Sequence, residues 1–173
     1  MKAILSDFFK FRKFTIALYC SKPLIGSLID IIKFETASFL LQCLNSEGSI
    51  LLNPHKSECL RDDELAKVVL SVLSKLTDQK IFITRLLSRA FEQYKVRLED
   101  CINFESILEG LMEKGKIQPY VLKSIEEITL MELVERRKPE GKWEMNGIPD
   151  CVATALSYMI FEKKVKSIIG MTQ

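Results

Sequence analysis

At Gln118-Pro119 the backbone is restricted on both sides of one peptide bond. The proline ring holds φ near the helical value, and the missing N–H would have no partner in a first turn, so a helix is expected to begin here. From Val121 the apolar residues Val121, Ile125, Ile128 and Met131 recur at steps of four, three and three, which makes one buried stripe. A short helix at Phe104 to Glu113 precedes it across a tight turn. At Leu133 the pattern changes to Leu133-Val134-Glu135-Arg136-Arg137, a Lys138-Pro139-Glu140-Gly141 turn, and Lys142-Trp143-Glu144-Met145. Two short runs around a Pro/Gly turn predict a β-hairpin.

The rest of the chain reads as helix. Leu24 to Leu44 follows the break at Lys22-Pro23 and carries Leu28, Ile31, Ile32, Phe39 and Leu40 on its apolar side. Arg61-Asp62-Asp63-Glu64 supplies a helix start, with acidic groups at the positive end of the dipole. Leu65, Val68, Val69, Val72, Leu73 and Leu76 then form a clean stripe, and Ile81 to Leu98 makes a further helix. After Gly147-Ile148-Pro149, residues Asp150 to Ile169 return to helix. Asn45 to Leu60 is the least regular part. Met1 to Cys20 mixes rings with cations (Phe8, Phe9, Lys10, Phe11, Arg12, Lys13, Phe14). That suits a helix packed through Leu5, Phe8, Phe9 and Ile16, or a surface for lipid or single-stranded bases.

Composition narrows the function. Of 173 residues, 47% are hydrophobic and 28% charged, enough to bury a core. The net charge of +2 does not announce a nucleic-acid binder. Its distribution is uneven: residues 1–34 carry +4, 35–80 carry −2, 81–132 carry −2 and 133–173 carry +2. The five cysteines are scattered with no C-x-x-C pair, which favours free thiols over disulfides or a metal site. No run reaches the roughly 18 uninterrupted apolar residues of a membrane span, and no signal-peptide layout opens the chain. A cytoplasmic location is expected, or a nuclear one in a eukaryote.

Catalytic arrangements are scarce. The single histidine, His55, sits in a polar loop, no glycine-rich phosphate loop is present, and the pairs Asp62/Asp63 and Glu126/Glu127 are adjacent, so on a helix they do not face each other. The expectation is a binding protein with no cofactor and no metal, not an enzyme.

In their order, Gly115-Lys116-Ile117-Gln118-Pro119-Tyr120-Val121 and Leu133-Val134-Glu135-Arg136-Arg137 resemble the winged helix-turn-helix superfamily, over a segment of about residues 81–146. The resemblance implies a mainly α fold with a small β-hairpin, in which a winged helix-turn-helix core (81–147) is flanked by a helical region (1–80) and a C-terminal helix (148–173). It implies double-stranded DNA as partner, in transcriptional regulation or genome maintenance. Gln118, Tyr120 and Lys123 then face the groove, and Lys116 approaches the backbone. Arg136, Arg137, Lys138 and Lys142 neutralise phosphates from the wing, and Trp143 anchors the hairpin or stacks at its edge. In such regulators the C-terminal helix commonly pairs with its own copy, so residues 150–169 are expected either to form a homodimer or to pack on the chain's own N-terminal helices. Glu126 and Glu127 oppose a polyanion on the same helix. Winged helices also serve as protein-interaction modules, and fold alone does not choose between the two uses. A protein-interaction or assembly subunit is therefore the alternative, with a small subunit of an RNA-handling complex, acting through the basic N-terminal end, as a third.

Overall fold

The computed structural model describes residues 22–77 and 81–172, which are mainly helical. The readings made for Met1 to Cys20 lie outside them. Among the described residues seven α-helices follow in order: α1 Lys22–Cys43, α2 Asp63–Leu76, α3 Ile81–Gln93, α4 Phe104–Glu113, α5 Pro119–Glu126, α6 Leu130–Glu135 and α7 Asp150–Thr172, with a 3-10 turn at Leu98–Cys101. Asp62 caps α2 by accepting the N–H groups of Glu64 and Leu65, and Asn103 caps α4 by accepting that of Ser106. The turn from α4 to α5 closes as expected at its glycine. Gly115 takes φ +69, and Lys116 N–H returns to Leu111 O at 2.9 Å.

The centre of the molecule is α7. All residues from Cys151 to Glu162 are buried, on every side of the helix. A helix covered all round must lie inside, and α7 does so against α2 and α1, with α6 and α5 on its flank. One hydrophobic cluster runs from Ile32 of α1 through α2 to Val165 of α7. Of the two packings expected for residues 150–169, the structure has the one within the chain. Association with a second copy through this helix has only the part from Lys163 onward to offer.

The expected hairpin is not formed. Among the described residues there are three isolated bridges, Leu44 with Ile50, Leu51 with Cys59 and Met145 with Ile148, and no sheet. Two local features explain the departure. Thr129 accepts the N–H of Glu132 and starts α6, so Leu133 and Val134 bury themselves from a helix where a strand was expected. The Lys138–Gly141 turn does close, through Gly141 N–H to Lys138 O and Lys138 N–H to Lys142 O, but no ladder follows, because Trp143 turns into the core. Gly141 takes φ +87 with α1 so near that a Cβ would lie 3.0 Å from Glu35 O. The stripe expected from Val121 to Met131 also divides: α5 ends at Glu126 and buries Leu122 and Ile125, while Met131 belongs to α6.

A candidate docking cleft

Trp143 is the fixed point of the region that the sequence singled out. It is 2% exposed. Its backbone N–H donates to Thr154 Oγ1 at 3.1 Å, and its indole Nε1–H donates to Leu133 O at 2.8 Å, which serves a carbonyl near the end of α6. Its ring lies 6.3 Å from that of Phe161 and carries the Arg137 guanidinium 4.7 Å from its centroid. Trp143 thus joins α6 to α7 and cannot swing out without leaving those groups unpaired.

Beside it opens a cleft of about 460 Å³, bounded by α5, α6, the 143–146 segment and Ser157 of α7. Its apolar wall is Val121, Ile125, Leu133, Trp143 and Met145, and its polar groups include Tyr120, Arg136, Asn146 and Ser157. Tyr120 stands at 71% exposure. A hollow of this size, walled on one side by apolar residues and on the other by convergent polar groups, has the form of a binding site.

Three of the residues expected at a binding surface therefore meet in one place: Tyr120, Arg136 and Trp143. Others are engaged elsewhere. Lys116 is tied to Asp62 at 2.7 Å, and that hydrogen bond holds its ammonium above the usual lysine range. Lys123 pairs with Glu127 at 3.9 Å and Arg136 with Glu132 at 3.4 Å. Lys142 is bound to Asp150 at 2.9 Å and lies 3.3 Å from Glu144, and the Asp150 bond raises its pKa. Gln118 occupies the cap position of α5 without a side-chain capping bond, and Lys138 is exposed in its turn.

Arg137 departs furthest from expectation. Its side chain is 5% exposed, paired with the 10% exposed Glu35 at 3.6 Å, with NH2 donating to Gly141 O at 3.1 Å. Burial draws its pKa down to about 10 against the pull of Glu35. This is a core cation, placed to hold the turn to α1 and not to meet a phosphate. Trp143 is buried too, which agrees with its expected role as an anchor on the core and not with stacking at an exposed edge. Met145, Asn146 and Ser157 were not expected at the site. The cue was the position of the only tryptophan among charged neighbours, since Lys142-Trp143-Glu144 pulls a large ring inward wherever a core is within reach.

Compared with protein-family models, with curated proteins and with solved structures, the chain matches none. The described residues include no group of three or more potential metal ligands, and no described helix is long and apolar enough to cross a membrane.

Proposed function

We propose that this chain is a protein-interaction or assembly subunit, and that the cleft beside Trp143 seats a segment of its partner. Electrostatics carry the choice. Residues 119–135, the would-be recognition segment, hold four glutamates (Glu126, Glu127, Glu132, Glu135) against one lysine. Of the basic side chains expected at phosphates, Lys116, Lys123, Arg136, Arg137 and Lys142 each have a carboxylate of the same chain within 4.0 Å. With one carboxylate to each of these cations, the surface has little excess positive charge to offer a duplex. A 71% exposed tyrosine beside a rigid apolar wall is instead the composition of a protein-binding hot spot.

Duplex DNA, in transcriptional regulation or genome maintenance, is the second reading. It is favoured by the exposed row Gln118, Tyr120 and Lys123 on α5 and by the α4–turn–α5 pair, which is the helix-turn-helix element of the winged-helix resemblance. Titration with random duplex at low and high salt, together with pull-down of a stoichiometric partner, separates the two. The expected result is no salt-sensitive duplex binding, and a partner that is retained by the unaltered chain and lost by Tyr120→Ser. Duplex affinity that falls steeply with salt, and falls further in Lys123→Ala and Arg136→Ala, would instead return the DNA reading.

A further inference from the structure

A second hollow, of about 400 Å³, lies where α7 passes the end of α2 and the start of α4. Its inner surface is apolar, from Phe104, Leu108 and Met159, and its rim is ionic. Among the lining residues is Glu162, whose side chain is 10% exposed. One oxygen, Oε1, takes both the Lys75 ammonium and that of Lys166, the latter at 2.7 Å, while Oε2 is buried without a hydrogen-bond partner. Lys75 also stands 4.8 Å over the Phe104 ring. Lys163 pairs with Glu105 at 3.4 Å. Among the described residues that line the hollow, three ammonium groups thus stand with two carboxylates, an excess of one positive charge. An ammonium has three donors, so Lys166, 69% exposed and committed to one oxygen, keeps others free for a ligand.

The surroundings say what kind of ligand. Ile102, on the rim, is 77% exposed, and Leu98, four residues earlier, is 62% exposed. A cationic hollow with an apolar lip complements a chain that carries carboxylates around an apolar side chain. We propose that this hollow docks an acidic, apolar-bearing segment of a partner protein, its carboxylate held by Lys163 and Lys166 and its apolar side chain against Ile102 and Phe104. A phosphate backbone fits less well, because the exposed isoleucine gives it nothing. The surface is separate from the Tyr120 cleft, and the proposal stands whether or not that cleft binds anything.

The test uses the full chain and a fluorescein-labelled synthetic peptide in which glutamates alternate with leucine and phenylalanine, beside a control with glutamine at every glutamate. Anisotropy titration should show saturable binding of the acidic peptide that weakens with salt, and at least tenfold weaker binding of the control. Lys163→Ala with Lys166→Ala should weaken the acidic peptide by about tenfold, or ~1.4 kcal/mol. Ile102→Ser should weaken it by a factor that is the same at low and high salt. Tyr120→Ser should leave it unchanged, and thermal melting of each variant confirms that it folds. Absence of saturable binding, equal binding of the control, or indifference to both sets of substitutions overturns the proposal. So does displacement of the peptide by single-stranded RNA whose own binding depends on the two lysines and not on Ile102.

Discussion

Two adjacent arginines show how little a residue type says about its task. Arg136 is half exposed and pairs with Glu132 one helical turn away, whereas Arg137 is enclosed between Glu35, Gly141 and Trp143. An exposed pair of the first kind contributes little, so Arg136→Ala should change the unfolding free energy by no more than about 0.5 kcal/mol. Removing Arg137 strands a buried carboxylate, and Arg137→Ala should cost about 3–5 kcal/mol in urea denaturation. Trp143→Ala should cost about 3–5 kcal/mol, because it empties a fully packed site. Equal effects of the two arginine substitutions would mean that Arg137 is not buried. In the sequence the two arginines are indistinguishable, because what separates them is Glu35, a hundred residues upstream.

Elements with a local cause were legible. Helices α2 and α4 begin at Asp62 and Asn103, capping residues that stand directly before apolar runs of helical period. Helix α6 had an equally local sign, Thr129 followed three residues later by Glu132, but the Pro/Gly turn beyond it drew the reading toward a hairpin. Thr129→Ala should therefore lower stability by about 1 kcal/mol, measured as a shift in the denaturation midpoint at constant slope. The segment from Asn45 to Leu60 carried only turn signs, Asn45 accepting the N–H groups of Glu47 and Ser49 and Asn53 that of His55, and the rest of its order is imposed from α3 and the residue after it. The Tyr94 hydroxyl accepts from Ile50 N–H at 2.9 Å and donates to Leu60 O at 2.8 Å, and Gln93 Nε2 donates to Ser49 Oγ at 2.7 Å. Tyr94→Phe leaves two buried backbone groups unpaired and should cost about 1–3 kcal/mol. The same substitution should raise amide exchange at Ile50, whereas unchanged exchange there would mean that the tyrosine is not the clamp.

For the molecule as a whole, acid is the informative stress. Asp62 is held below the usual carboxylate range because, although burial alone would raise it, hydrogen bonds from Lys116 and from the backbone of Leu65 and Glu64 outweigh burial. Glu64 is lowered chiefly by Lys114. At Glu162 burial again pushes upward, and Lys166 and Lys75 reverse it. Carboxyls lowered on folding contribute stability that is present above their unfolded pKa of about 4 and is lost as pH falls through the folded value. The melting temperature should therefore hold from neutral pH down to about pH 5 and drop below about pH 4. Lys114→Ala with Lys116→Ala should reduce the acid-sensitive part of that drop, since both lysines lower carboxyls at the start of α2.

Helix α7 also has a consequence for how the chain is made. Residues 151–162 fill the space between helices that a ribosome delivers long before them, so the faces of α1 and α2 that pack on α7 lack that cover until synthesis has passed residue 162. At ordinary elongation rates that interval lasts on the order of ten seconds, during which greasy nascent surface must be shielded by something other than this protein.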